Sequence, residues 1–375
     1  MSFSLLSMID INVTECSKGM YLFCFIFYLF IVLKYWKSYT REFVDRRRSV
    51  MFRFLVVLYV LLSFYNGDFW HYQSYVKFND PLYQPSELYY VWLAEFVNHN
   101  YLLFRFFVWG LALFLILRTA KNFKIHQESF LFFFFTLYIS IFDYARVSLA
   151  LALYFLGISK ILSPQKGNFI MGVLIMISSV LFHNSIIPLI LFSILLVLPF
   201  NKSIIVILFI LLPTLTGFID AILMNLIGLD VTGLEEITYK LNHYNQLEGT
   251  EYSILEKFRI FLVYLTFYIP FALCTYVIHF KNESNIFPYF ITQIYKILYL
   301  IVLLATCCLF LNTENNVLFY RYLYMAMIPI SVLVVYLKEY KYISNKCYKY
   351  LLLLGVFCLV FRHAKYLYVW PGPVH

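Results

Sequence analysis

The chain has 375 residues, of which 62% are hydrophobic and 13% are charged, and its formal net charge at pH 7 is +9. A soluble domain carries about 25% charged residues, so this composition excludes a water-soluble globule. The apolar runs are long and continuous, which excludes a transmembrane β-barrel and predicts an all-α, polytopic membrane protein. Because the basic residues lie beside the apolar runs, we interpret the positive charge as a topology signal and expect no nucleic-acid partner.

The apolar segments predict about twelve transmembrane helices in one integral membrane domain that covers residues 1–375. Several segments are shorter than the ~20 residues of a straight span, so we expect flanking aromatic residues to complete them. In chain order the segments are Met20–Trp36, Phe52–Tyr65, Tyr101–Leu117, Ser129–Ile141, Tyr144–Ile161, Phe169–Phe182, Ile186–Phe200, Ile204–Leu226, Phe261–Phe280, Ile291–Leu311, Leu318–Leu337 and Tyr350–Phe361.

The connections between these segments alternate in character along the chain. One set is basic and contains Arg46–Arg48, Arg118 and Lys338. The other set is acidic, aromatic and longer, with sizeable loops at Asn66–Asn100 and about Ile227–Lys257. Lys and Arg beside a span are retained in the cytoplasm, so we expect the two long loops, and any chemistry they carry, on the outer face.

The first outer loop combines acidic and aromatic side chains. Asp68 and Glu87 are carboxylates, and a carboxylate can accept a proton from a sugar hydroxyl. Trp70, Tyr72 and Tyr75 supply rings that suit the C–H faces of sugars, so we predict sugar binding there. A solvated interfacial loop with aromatic side chains at the membrane surface would have the same composition.

Ionisable groups in or beside apolar segments are expensive, which makes each one a functional candidate. Arg146 is spaced to pair with Asp143 on one helix face, or its planar guanidinium could bind a phosphate. His183 lies at the tip of a helical hairpin, as a helix cap or as a proton carrier. Arg321 either reaches to the interface or joins Arg146 and Arg259 in a cationic pocket, and we call these three residues the outer arginines.

Two further cations, Arg105 and Lys296, also interrupt apolar segments, and we expect only buried pairing for them. The chain has no Gly-rich phosphate loop, no HExxH and no GxSxG element, and no metal-ligand cluster stands out. We therefore predict no cofactor and no metal.

Five short motifs follow one another along the chain: Asp68 with Tyr72, Pro85 with Glu87, Arg146–Ala152, Phe182–Pro188 and Tyr320–Tyr324. In this order they resemble the EpsG/Wzy-type family of bacterial polysaccharide polymerases over about residues 50–335. The aromatic, strongly apolar composition is similar to that of an O-antigen polymerase of a Gram-negative cell.

The resemblance implies a GT-C-like bundle in the bacterial inner membrane with its active face toward the periplasm. A growing polysaccharide on undecaprenyl pyrophosphate would be transferred to a lipid-linked repeat unit, with release of undecaprenyl pyrophosphate. The implied partners are undecaprenyl-pyrophosphate-linked oligosaccharide and membrane lipids, and a chain-length regulator is a further candidate.

Under this interpretation the enzyme is a metal-independent glycosyltransferase. The outer arginines would stabilise the departing pyrophosphate. Asp68, Glu87 or His183 would assist deprotonation of the attacking hydroxyl. The alternatives are a repeat-unit flippase or transporter, an O-antigen ligase, or a purely structural membrane protein. Transporters often have helices broken by Gly or Pro near the midplane, and this chain has only 12 glycines and 11 prolines.

Overall fold

A computed structural model describes residues 18–40, 46–63, 75–77, 88–142, 145–162, 168–183, 186–194, 254–281, 287–311 and 322–368. Within these ranges 91% of the residues are helical and none is in a strand, which confirms the all-α prediction. π-Helical turns at Phe106–Gly110 and Tyr276–Lys281 continue the helices that end at Arg105 and Thr275, and a 3₁₀ turn at Ser179–Leu181 extends the helix that ends at Ser178. The helices are α1 (Lys18–Thr40), α2 (Arg46–Leu62), α3 (Leu88–Phe96), α4 (Tyr101–Arg105), α5 (Leu111–Asn122), α6 (Gln127–Phe142), α7 (Ala145–Ile161), α8 (Asn168–Ser178), α9 (Ile187–Ile194), α10 (Ile254–Thr275), α11 (Tyr289–Leu311), α12 (Met327–Glu339) and α13 (Asn345–Tyr368).

The helices follow the apolar segments of the sequence. Every predicted segment overlaps a helix except Ile204–Leu226, which lies outside the described residues. The helices extend beyond the predicted ends, because aromatic and basic flanking residues continue them: α13 reaches Tyr368, whereas its apolar segment ends at Phe361.

Five helical stretches of the described residues are long and apolar enough to cross a membrane. They indicate a multi-pass membrane protein, and the count of about twelve spans and the GT-C-like arrangement stay predictions. The five are Leu22–Thr40, Tyr101–Asn122, Phe261–Phe280, Tyr289–Cys307 and Tyr322–Glu339. Gln127–Ile139, Val147–Ile161 and Asn168–Leu181 are apolar but shorter.

The chain divides into two compact units, residues 1–190 with 334–375, and residues 191–333. This division concerns packing within the chain, and the single membrane domain remains a prediction. We call them unit 1 and unit 2.

Helix α6 forms the centre of unit 1. Every residue from Phe130 to Ile139 is buried, so other parts of the protein rather than lipid cover this apolar helix on all sides. The ring of Phe135 stacks on Tyr28 of α1 with centroids 5.2 Å apart. The Tyr28 hydroxyl donates to the carbonyl of Thr136 at 2.8 Å, which fixes α1 against α6.

Glycines set the closest helix contacts in unit 1. A Cβ on Gly157 of α7 would lie 2.7 Å from the carbonyl oxygen of Gly172 in α8, and the reverse distance is also 2.7 Å. A Cβ on Gly355 of α13 would lie 2.9 Å from the carbonyl oxygen of Thr136 in α6. Small residues allow such close backbone approach between membrane helices.

One end of unit 1 gathers the basic connections of the sequence. Arg53 of α2 forms an ion pair with Glu128 at the start of α6, and the Ser49 hydroxyl donates to the same carboxylate at 2.5 Å. These contacts join the connection after α1 to the connection between α5 and α6.

The third basic connection, at the end of α12, reaches the same end of the unit. The backbone N–H of His126 donates to Glu339 at 3.2 Å, and Lys338 Nζ donates to the carbonyl of Tyr39 at 3.5 Å. The three basic connections therefore lie together, as the charge pattern predicts.

Unit 2 contains a polar seam between α10 and α11. The hydroxyls of Tyr268 and Thr306 share a hydrogen bond of 3.1 Å, and the Tyr295 hydroxyl donates to Thr275 at 3.0 Å. Lys296 of α11 is buried, with 7% of its surface exposed. These bonds let polar side chains stay within an apolar helix pair.

Candidate functional site

The candidate site is built at the end of unit 1 that faces away from the basic connections. Helix α2 begins at the basic run Arg46–Arg48 and has 17 residues, so its last turn lies roughly 20 Å along the helix axis from that run. Arg105, which follows the first outer loop in the chain, contacts that last turn.

The first contact joins the end of the outer loop to the motif that contains His183. Tyr89, near the start of α3, packs against Phe182, with ring centroids 4.5 Å apart and planes at 61°. Edge-to-face aromatic pairs of this kind are directional as well as apolar. Tyr89 lies two positions after Glu87 in the sequence, and Phe182 directly precedes His183.

His183 lies between α8 and α9, at the hairpin tip that the sequence predicts. Its backbone N–H donates to the carbonyl of Ser179 at 3.3 Å, and its own carbonyl accepts from Ile186 N–H at 3.3 Å. The backbone of His183 thus closes one helix and opens the next, while its side chain is half-buried.

The start of α7 lies at the level of His183. Around the Gly157–Gly172 contact the two helices run antiparallel, because Gly157 also approaches Met176 while Gly172 approaches Ile161. Arg146 precedes Gly157 by eleven residues and His183 follows Gly172 by eleven residues. Both backbone positions therefore lie roughly 16 Å from the glycine contact, in the same direction.

Tyr75 belongs to a short helical segment, residues 75–77, that is held inside the outer loop. Its side chain is buried, with 5% exposed, and Nδ1–H of His99 donates to the neighbouring carbonyl of Val76 at 2.9 Å. Burial raises the pKa of the Tyr75 phenol, and the carboxylate of Glu95 adds to the rise, so the ring stays neutral at physiological pH.

A tight turn places His99 in position for this bond. Asn98 and His99 both adopt left-handed backbone angles, with φ of 51° and 58°, which Asn and His tolerate better than most residues. The side chain of Asn100 then caps α4 by accepting the backbone N–H of Leu103 at 3.0 Å.

Arg105 is a buried cation at the same end of unit 1. It is 1% exposed, and its Nη2 donates to the carbonyl of Val60 in the last turn of α2 at 2.7 Å. Its guanidinium carbon lies 4.4 Å from the ring centroid of Trp109 and 6.0 Å from that of Tyr101. The sequence predicts buried pairing for Arg105, and the structure gives it a backbone carbonyl and two aromatic rings as partners.

The structure describes part of the predicted site. Arg146 is the second residue of α7 and Arg259 the sixth residue of α10, and the backbone is described at both positions. Arg146 belongs to unit 1, and Arg259 belongs to unit 2. The cationic pocket of the outer arginines and the sugar-binding role of Tyr75 stay predictions. The predicted site residues outside the described ranges are Asp68, Trp70, Tyr72, Glu87 and Arg321.

The residues that the functional prediction missed are Tyr89, His99 and Arg105. The Asn98–Asn100 run between two apolar segments was a visible turn signal for His99. Within the described ranges no cluster of His, Cys, Asp and Glu could hold a metal ion, and independence from metals stays a prediction.

Comparison with known proteins gives one match. The model of the EpsG family matches residues 48–370, from the start of α2 through α13. No curated protein and no solved structure matches significantly. The match covers most of the chain and confirms the resemblance drawn from the short motifs. The chain therefore belongs to the EpsG family.

Proposed function

We propose that this EpsG-family protein is a membrane polysaccharide polymerase. It transfers a growing polysaccharide from undecaprenyl pyrophosphate to a lipid-linked repeat unit at the periplasmic face of the bacterial inner membrane. Family membership supports a role of the polysaccharide-polymerase type, and the apolar helices support a membrane location.

The observation that carries the proposal is the meeting of the outer loop with the hairpin tip. The Tyr89–Phe182 contact brings the chain just after Glu87 beside His183. The backbone of Arg146 lies at the same level on α7. We place the Glu87 carboxylate, the His183 imidazole and the Arg146 guanidinium together at this end, which suits a reaction in which a proton is removed and an anion departs.

The proposed step is a glycosyl transfer at the anomeric carbon of the growing chain. A hydroxyl of the acceptor sugar forms the new C–O bond, and the bond from the anomeric carbon to the pyrophosphate oxygen breaks. The hydroxyl proton passes to Asp68, Glu87 or His183. The electron pair leaves with undecaprenyl pyrophosphate, whose negative charge the outer arginines stabilise.

Binding both substrates in a fixed orientation supplies much of the rate. Both carry lipid anchors that would hold them at the interface, and the two long outer loops would bind the oligosaccharides. Fixing two reactants in register replaces a bimolecular encounter by an effectively unimolecular step. Trp70 and Tyr72 would hold the sugars by stacking.

The gel pattern of lipopolysaccharide from a deletion strain tests the proposal. A polymerase deletion leaves core with one repeat and no ladder, and the wild-type gene restores the ladder. Loss of every repeat would instead indicate a ligase or a flippase and would overturn the proposal. An unchanged ladder would contradict any role in polymer assembly.

A further inference from the structure

We propose that Arg105 is a positioning residue that ties the two ends of the first outer loop together. Tyr89, in the described part of this loop, packs on Phe182 directly before His183, so the tie acts on a loop that contacts the hairpin tip. The effect on polymer transfer rests on the proposed function, whereas the tie itself can be tested without it.

Arg105 lies between two aromatic residues, one in α4 and one in the turn that follows it. Tyr101 precedes Arg105 by four residues and Trp109 follows it by four residues, and residues at this spacing share a helix face. The guanidinium carbon is 4.4 Å from the ring centroid of Trp109, close enough for a cation–π interaction. Trp109 belongs to the π-helical turn that follows α4. The rings orient a side chain that would otherwise have many rotamers.

The partner of Arg105 on α2 is a backbone carbonyl in the last turn of that helix. The last four carbonyls of an α-helix have no partner within the helix. The carbonyl of Val60 accepts from Arg105 Nη2 at 2.7 Å and from the Ser63 hydroxyl at 3.3 Å. The carbonyl of Leu62, two positions later, accepts from Cys24 Sγ at 3.1 Å. A cation at this end also interacts favourably with the helix dipole.

The hydrogen bond between Arg105 and Val60 encloses a long stretch of chain. Val60 and Arg105 are 45 positions apart, and the first outer loop, Asn66–Asn100, lies between them. Fixing both ends restricts the conformations of everything in between. The His99–Val76 bond adds a second tie inside the first, between chain positions 23 apart. Segment 75–77 is therefore fixed through two successive polar contacts.

The group that Arg105 brings to the end of α2 is charged. A Gly or a hydroxyl side chain can complete a helix end without the expense of burying a charge in an apolar bundle. Arg105 is 1% exposed and reaches from one helix to another, which a local cap cannot do. Its reach across the base of the loop is the property that distinguishes it from a local cap.

The experiment measures the reaction of a cysteine at position 76 with a maleimide in detergent-solubilised, full-length protein. Val76 is 0% exposed, and Val76→Cys is nearly isosteric. With Arg105 intact, labelling above that of the parent protein should be slow. With Arg105→Met it should become at least several-fold faster, and Arg105→Lys should fall between, because Lys keeps the charge but not the planar fork.

Arg118→Met is the matched control, because Arg118 is exposed near the end of α5. It should leave the labelling of Val76→Cys unchanged. Equal labelling in the Arg105→Met and Arg105-intact proteins would overturn the tie, and so would equal acceleration by Arg118→Met. If Arg105→Met does not accumulate in the membrane, the comparison rests on Arg105→Lys, whose unchanged labelling would likewise overturn it.

Polymer transfer supplies the second readout, at equal amounts of membrane protein. Arg105→Met should slow polymer formation by about tenfold or more, with partial recovery in Arg105→Lys, since small misplacement of reacting groups costs orders of magnitude in rate. Faster labelling with full polymer formation would overturn the positioning role. Absence of polymerase activity in the wild type would overturn the proposed function and leave the labelling result standing.

Discussion

The ring of Tyr89 meets the ring of Phe182 edge to face, at a centroid distance of 4.5 Å. These two residues lie far apart in the chain: Tyr89 is in the second half of the first outer loop, and Phe182 follows the 3₁₀ turn that extends α8. Their contact gives the loop a fixed position relative to His183.

Replacement of Tyr89 by Ala should reduce polymer formation, because it removes the contact that holds the loop exit against the hairpin. An aromatic pair contributes about 0.5–1.5 kcal/mol beyond its buried area, so an effect on rate of up to about tenfold is expected. Tyr89→Phe keeps the ring and is the control. The lipopolysaccharide ladder at equal protein amounts measures the effect, and a normal ladder from Tyr89→Ala would contradict the assignment.

Replacement of Arg146 by Ala should abolish polymer and leave single lipid-linked repeats. Removing one preorganised charge from a leaving-group site typically lowers the rate by about 10²–10³-fold. The same result is expected for Arg321→Ala, whereas Arg118→Ala should leave the ladder intact. Long polymer from both the Arg146 and Arg321 variants would eliminate the proposed pyrophosphate site.

Replacement of Gly157 by Ala should destabilise unit 1, because the added Cβ would lie 2.7 Å from the carbonyl oxygen of Gly172. Overpacking of this kind costs about 1–3 kcal/mol. Gly110→Ala is the matched control, since its Cβ would meet the Phe106 ring at an ordinary 3.5 Å. Thermal unfolding in detergent should separate the two variants, and equal melting temperatures would show that α7 and α8 can move apart at little cost.

Reporter fusions should place the two long loops outside the cell. Fusions after Tyr65 and after Leu226 should give a periplasmic signal, and a fusion after Lys124, in a basic connection, should give a cytoplasmic one. A cytoplasmic signal from either long loop would reverse the proposed active face.

Much of the helical structure was predictable, because a membrane helix is specified by a local run of apolar residues. The grouping of the three basic connections was predictable as well, since it follows from charge alone. The ends of α1 and α13 were not, because aromatic and basic flanks continue a helix without raising its hydropathy.

The contacts that build the candidate site were harder to predict. Arg105 was visible as an interruption of an apolar run, but its bond to Val60 joins positions 45 apart and leaves no local periodicity. Tyr89 has the same character, because nothing in its neighbourhood points to Phe182. Asp68, Glu87 and Arg321 lie outside the described residues, and the experiments above test their predicted roles.

The burial of α6 has a consequence for biogenesis. Its residues Phe130–Ile139 are enclosed partly by α13, which contributes Gly355 against Thr136 and stacks Tyr348 on Phe133 at 5.6 Å. Since α13 emerges from the ribosome long after α6, the nascent protein must wait in the bilayer with an open, aromatic-lined groove.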